Sequence, residues 1–381
     1  MPNNISNFYL PSKTKQKYQA SDVDLKNYAH QLLKDRNEVL NISNFDYFQY
    51  ICKNTGKQYT RNHSKSIESF FNMYSKNNVN YDLHEKITKT EHKWMSKCNN
   101  GGIMYTQKGS FYNCHGYDYS AFYQNIMIDD NFIIPYCEGK ETKMKIIPKS
   151  LYFGFYRVKI ECDDKDFNKI FMYSKDDVYT HYSLKFAMKH KQQYDIKINL
   201  IVDEEPNAYI YLGITNKKSQ CMKFKDVCQK WSDKLNLLKS QCSKDNTIIK
   251  MLSSSLWGHL SRKKWINKTM EQAENEGLLK THIVIKQFYP NDDGTVNFKL
   301  VDANDIYFYN FRLKPFITSF GRAKTGETAI QMGLENIIRI HTDGIITTKQ
   351  FNSDIDKFII DEKHTGDFNL IAINKPIERI I

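Results

Sequence analysis

The chain has 381 residues, enough for two or three domains and a sizeable core, and its 40% hydrophobic and 14% aromatic content excludes a disordered chain. No apolar run approaches the roughly twenty residues of a membrane span, and the start "MPNNISNFYLPSK" lacks a basic segment followed by an apolar one, so an intracellular, non-secreted protein is expected. A net charge of +12 points to a polyanionic partner, nucleic acid first, and the 8 cysteines, without a CxxC pair or a Cys/His cluster at zinc spacing, read as reduced thiols.

Residues 1–98 read as a mostly helical region. In "DVDLKNYAHQLLKDRNEVL", Val23, Leu25, Tyr28, Leu32 and Leu33 keep a helical rhythm behind an aspartate cap. "NNGG", Asn99 to Gly102, marks a boundary. From Ile103 to Tyr211 strands dominate, "YFGFYRVKI" and "YDIKINLIV" being the clearest, with one helix around "THYSLKFAMKHKQQY". Two helices follow between Lys223 and Lys263. Phe224, Val227, Trp231, Leu235 and Leu238 recur at threes and fours in the first, "SKDN" is the turn, and "TIIKMLSSSLWGHLSRK" is the second. Further strands, a helix near "RAKTGETAIQMGLENI" and the hairpin "IIRIHTDGIITT" complete the order.

Three separated stretches carry the chemistry. In "GYDYSAFYQNIM", Asp118 stands at the end of a strand-like run, with Tyr123 five residues on. In "KMLSSSLWG", a helix puts Lys250, Ser254 and Trp257 on one face beside Gly258: an ammonium, a small hydroxyl, a flat ring and room for something to approach. In the hairpin, Asp343 occupies the bend, where Asp-Gly is also simply good turn chemistry. Two such carboxylates at strand ends suit a pair of Mg²⁺ ions about 3.5–4 Å apart, the arrangement that stabilises both oxygens of an in-line phosphoryl transfer.

The order of "YDYSAFY", "KMLSSSLWG" and "IHTDGI" resembles motifs A, B and C of family B DNA polymerases, and is closest to the protein-primed branch of linear plasmids and certain viruses. "TSFGR", Thr318 to Arg322, resembles the family's TxxGR motif, and "NNGG" resembles its YxGG linker with Asn99 in place of tyrosine. The resemblance spans roughly residues 95–375. It implies an α+β fold: an antiparallel polymerase palm with helices, in two parts (99–217, with an insertion, and 264–381), and an α-helical hairpin of fingers at 218–263. A DNA-directed DNA polymerase follows, adding deoxynucleotides to a primer.

By the same resemblance, Asp118 and Asp343 are catalytic carboxylates that hold Mg²⁺, or Mn²⁺ in its stead, with the backbone carbonyl of Tyr119. Tyr123 lies under the incoming sugar, Lys250 meets the triphosphate with Lys239 and Lys234 on the preceding helix, and Ser254, Trp257 and Gly258 line the nucleotide site. Thr318, Gly321 and Arg322, with Gly101 and Gly102, bind DNA. Primer-template DNA and deoxynucleoside triphosphates are the implied partners, with a terminal priming protein and separate exonuclease and thumb segments as further ones.

Several positions depart from the family pattern. His341 stands where motif C usually has a second aspartate, Gly344 for serine, Ser254 for asparagine, Trp257 for tyrosine, Ala121 for serine and Gln124 for proline. "KYQASD" sets Tyr18 and Asp22 in the YxxxD pattern of the family's exonuclease, which helix capping by Asp22 explains as well. The only DxE, Asp203 to Glu205, lies beyond motif A and reads as a loop, and few residues follow Asp343. An incomplete exonuclease and an absent or truncated thumb are therefore expected. The competing reading is an inactive remnant or subunit that keeps the fold and binds nucleic acid without synthesis.

Overall fold

The computed structural model describes residues 6–9, 17–20, 87–98, 100–212, 220–240, 253–254, 256–258, 266–291, 293–302, 312–351 and 360–370. In chain order the described elements begin with β1 (Ser6–Tyr9), β2 (Lys17–Ala20), α1 (Lys89–Lys97), β3 (Met104–Thr106) and β4 (Gly109–Tyr119). There follow α2 (Phe122–Met127), β5 (Ile133–Pro135), β6 (Lys140–Thr142), β7 (Phe153–Glu161) and α3 (Phe167–Ile170). Next come β8 (Val178–Thr180), α4 (His181–Lys189), β9 (Lys197–Leu200), β10 (Ala208–Tyr211), β11 (Cys221–Lys223) and α5 (Lys225–Ser240). The last are β12 (Ile266–Thr269), α6 (Met270–Asn275), β13 (His282–Pro290), β14 (Val296–Asp302), α7 (Lys314–Met332), β15 (Ile337–His341), β16 (Gly344–Thr347) and β17 (Ile360–Leu370).

Two compact units divide the chain. One gathers Met1–Asn80, Met127–Asp130 and Lys223–His259; the other gathers Tyr81–Ile126, Asn131–Met222 and Leu260–Ile381. In the first, β1 and β2 pair antiparallel with Ser6 opposite Ala20 and Tyr9 opposite Lys17. These residues are strands within a region whose sequence reads as mostly helical; the helix expected at 22–40 lies outside the described residues. Phe224, just ahead of helix α5, and Val227, Trp231 and Leu235 within it are buried at the spacing that the sequence displays. Lys223 and Lys225 both reach Asp130, at 3.4 and 3.1 Å.

The second unit holds the larger core. Its sheet of interest runs β17-β4-β16-β15-β3, antiparallel throughout. Ile337, Ile338, Ile340, Ile345 and Ile346 are buried, so the hairpin is fixed by apolar side chains on both of its strands. A second sheet runs β6-β10-β7-β8 with β9 also on β7, and its aromatic residues Phe153, Phe155, Tyr209 and Tyr211 pack against Phe316 or each other. Helix α4 is capped by Thr180, whose hydroxyl accepts from the Ser183 amide at 3.3 Å. In a three-stranded antiparallel sheet, β12-β14-β13, the end of β12 starts α6 with a capping box between Thr269 and Gln272.

Helix α7 differs from its sequence reading. It begins at Lys314, with a proline in its first turn, and stops at Gly333 (φ 80°), so "TSFGR" lies inside the helix and not ahead of it. Its hydroxyls and glycines dilute the apolar stripe by which a helix is recognised, yet most of its residues are buried. Thr318 and Ser319 satisfy their hydroxyls on the helix's own carbonyls, those of Lys314 (2.9 Å) and Pro315 (2.7 Å). Gly326 admits Phe186, whose ring a Cβ there would meet at 2.7 Å.

Candidate active site

Strand β4 lies between β16 and β17, and Asp118 is its penultimate residue. Across to β16, Gly344 stands opposite Asp118 and Ile345 opposite Tyr117. One step further, the Tyr119 amide donates to the Asp343 carbonyl at 3.4 Å. Asp118 and Asp343 thus sit at the same end of two neighbouring strands, both half-buried. Gly344 lies beside the first of them, where a Cβ would make ordinary contact with Asp118 Oδ1 at 3.4 Å. On the other side of β4, the backbone register sets Asp361 of β17 opposite Asp118, a position that the polar sequence of that strand did not single out.

The turn that carries Asp343 is held under constraint. Thr342 has φ 62°, in the left-handed region that side-chain-bearing residues rarely occupy, at a cost of about 1 kcal/mol or more. Its amide donates to the Ile103 carbonyl at 2.7 Å, and its carbonyl accepts from the Thr325 hydroxyl at 3.0 Å. Gly102 packs so closely on it that a Cβ there would stand 2.7 Å from the Thr342 side chain. His341, where the family pattern has an aspartate, is exposed on the strand side of the turn.

Asp118, Asp343 and the Tyr119 carbonyl are the groups that would hold a divalent cation. Among the described residues no group of three or more His, Cys, Asp or Glu gathers into a closed cage. Two aspartates at adjoining strand ends are the hard oxygen donors that Mg²⁺ takes, the ion keeping waters and substrate phosphates as its remaining ligands.

The TSFGR residues face inward. Thr318 is buried and bonded within its own helix. The Arg322 guanidinium donates to the carbonyls of Gly101 (2.6 Å) and Asn100 (3.3 Å) and reaches Ser183 Oγ at 3.5 Å. Its burial lowers its pKa to about 10, against a favourable influence of Tyr123 and Cys98. Gly321 lets Phe122 of α2 approach, since a Cβ there would stand 3.0 Å from the ring. Of the residues to which the resemblance assigns DNA contacts, Arg322 joins the helix to the carbonyls of Asn100 and Gly101, Gly102 packs on the Asp343 turn, and Thr318 is bonded within its own helix.

Tyr123 is half-buried on α2, its ring 5.2 Å from that of Phe122. Residues 253–254 and 256–258 are helical; there Ser254 is exposed, Trp257 half-buried, and a Cβ on Gly258 would meet no atom within 4 Å. Lys250 and Asn99 lie outside the described residues. Lys239 is in α5, on which Lys234 is half-buried. The DxE segment is a surface loop in which Asp203 takes a two-pronged contact from Arg157, at 2.6 and 2.9 Å, and Glu205 stands 3.9 Å away. Sequence reading missed Thr325 and Thr328. The Thr328 hydroxyl shares a hydrogen bond with that of Tyr119, the neighbour of Asp118. Only their spacing of three beyond Arg322 hints at a shared face.

Phi29 DNA polymerase in its ternary complex with primer-template DNA and incoming nucleotide substrates superposes with a TM-score of 0.55, at 13% identity, over 94% of this chain and 67% of that one. The chain has a polymerase-like fold. The same polymerase complexed with single-stranded DNA gives 0.55 at 13% over 95% and 67%, and its post-translocation binary complex gives 0.54 at 14% over 94% and 66%. The chain thus spans about two thirds of that polymerase's length. No protein-family model and no curated protein sequence matches it. Among the described residues no helix is long and apolar enough to cross a membrane.

Proposed function

We propose that this chain is the palm-and-fingers part of a DNA-directed DNA polymerase of the protein-primed family B type. One observation carries the reading: Asp118 and Asp343, far apart in the chain, end two hydrogen-bonded strands within a fold shared with Phi29 DNA polymerase. In the reaction a primer hydroxyl oxygen bonds the α-phosphorus of a deoxynucleoside triphosphate and pyrophosphate leaves. Mg²⁺, or Mn²⁺, would supply charge stabilisation of the attacking and leaving oxygens, held by Asp118, Asp343 and the Tyr119 carbonyl.

The remaining roles fall to this chain's own groups. Tyr123 sits under the incoming sugar and disfavours a 2′-hydroxyl by its bulk. Lys250, with Lys239, neutralises the triphosphate as charge develops. Ser254, Trp257 and Gly258 line the nascent base pair, where the open space at Gly258 leaves room. Residues 99–217 and 264–381 form the palm and 218–263 the fingers. Primer-template DNA binds through the chain's positive charge, so affinity falls steeply as salt is raised. A terminal priming protein, and exonuclease and thumb segments on other chains, complete the set of partners.

Primer extension by the purified protein tests this, with Asp343→Asn as control. Extension by the parent and a loss of at least a hundredfold in the variant is the expected result. A second reading, a nucleic-acid-binding remnant, is favoured by His341 in the place of a carboxylate, since neutral imidazole is a poor ligand for Mg²⁺. DNA binding without Asp343-dependent incorporation, even with exonuclease and thumb segments supplied, selects it.

A further inference from the structure

We infer that α7 is a clamp that fixes the spacing of the two carboxylates, with Thr325 and Thr328 as its positioning residues. The inference rests on the polymerase reading, because it gives the clamp its purpose. Thr325 bonds the carbonyl of Thr342, the residue before Asp343, and Thr328 bonds the hydroxyl of Tyr119, the residue after Asp118. A single helix face therefore holds the immediate neighbour of each aspartate.

The same helix supplies the contrast that gives these bonds meaning. A buried threonine needs only a carbonyl, and Thr318 and Ser319 find theirs one turn back on α7 itself. Thr325 and Thr328, equally buried, reach out of the helix to the β15–β16 turn and to strand β4. Core satisfaction alone accounts for the first pair and leaves the second pair's choice of partners unexplained. The two stand about 4.5 Å apart along the helix axis, one meeting the backbone of the turn and the other the far end of the Tyr119 side chain. One helix can thus hold β4 and the β15–β16 turn at a set separation.

Arg322 extends the same face by a further three residues. It holds the carbonyls of Asn100 and Gly101, and the next residue, Gly102, lies so close to Thr342 that a Cβ there would meet its side chain at 2.7 Å. The turn, in a conformation that its threonine disfavours, is therefore fastened by its amide to Ile103, by its carbonyl to Thr325 and by contact with Gly102. Groups of this kind, which orient ligands without touching the ion, alter metal affinity or activity roughly ten- to a hundredfold when removed.

The test measures Mn²⁺ binding to the full chain by electron paramagnetic resonance, alongside primer extension and thermal unfolding. The proteins are the parent, Thr325→Val, Thr325→Ser, Tyr119→Phe and Asp343→Asn. Thr325→Val, nearly isosteric, is expected to bind Mn²⁺ roughly tenfold more weakly and to lose turnover while KM for the deoxynucleotide holds. Thr325→Ser restores both, and Tyr119→Phe repeats the defect from the β4 side should Thr325→Val fold poorly. Parental Mn²⁺ affinity in folded Thr325→Val and Tyr119→Phe overturns the clamp while the polymerase reading stands. Mn²⁺ binding by the parent that Asp343→Asn leaves untouched overturns the polymerase reading itself, and the clamp with it.

Discussion

Two buried arginines lie ten residues apart, one just before α7 and one inside it, and they are treated differently. Arg312 meets a carboxylate: its guanidinium donates to both oxygens of Glu91, at 2.5 and 2.9 Å, and to the Tyr136 carbonyl at 3.0 Å. Tyr211 adds a hydroxyl to Glu91 at 2.6 Å, and both charged side chains are fully buried. Arg322 is nearly as buried, yet among the described residues its acceptors are carbonyls and a hydroxyl, with no carboxylate. The first arrangement is an anchor that ties the start of α7 to α1 and β10. The second places a charge where neutral acceptors only partly offset its desolvation, which is a poor way to gain stability and a good way to hold a loop beside the carboxylates.

Removing the anchor should show the largest effect. Arg312→Met leaves Glu91 buried without its partner, and unfolding by denaturant should register a loss of about 3–5 kcal/mol. Adding Glu91→Gln to it should recover part of that loss, and the surviving folded protein should extend primers at the parental rate. Arg322→Met is the converse. It strands two carbonyls, for about 2 kcal/mol, but also relieves a buried charge, so its stability loss should be clearly smaller while primer extension falls by more than the unfolded fraction explains. Equal stability losses in the two variants, with equal rates per folded molecule, would erase the distinction drawn between them.

A third buried base sharpens the contrast at smaller scale. His181 opens α4, its ring 4.1 Å from that of Phe153 and 3.9 Å from that of Tyr182. Burial, with some help from Lys185, depresses its pKa to about 3, against a supporting hydrogen bond to the Gly154 backbone. The unfolded chain binds a proton near pH 6.5 that the folded chain refuses until near pH 3. Its contribution is therefore fully present above pH 6.5 and is lost as pH falls below it, about 1 kcal/mol between pH 7 and 5.5. His181→Phe should flatten the decline of the unfolding midpoint over that interval.

What was legible in the sequence follows the strength of local signals. The Asp343 hairpin was, because β-branched runs flank an Asp-Gly turn, and so was the face of α5, because Trp231 and its neighbours repeat at helical spacing. The start of α7 was not. A helix buried on nearly all sides and rich in threonine, serine and glycine has neither an apolar stripe nor a polar face, and its hydroxyls are satisfied by bonds that no periodicity reveals. The roles of Thr325 and Thr328 depend on which strands the helix lies against, and that is information held in tertiary contacts alone. Strand β17, "IDEKHTGDFNL", likewise lacks alternation and takes its place from its pairing with β4.

Strand β4 receives both of its neighbours from segments made much later, β16 from Gly344 and β17 from Ile360 onward. At ordinary rates of translation a ribosome takes on the order of tens of seconds to cover that interval. Throughout it the nascent chain carries a strand with two bare edges, a template for pairing with the wrong partner. Slower synthesis prolongs that exposure, and yield of native protein in a cell should depend on how well chaperones shield this one segment.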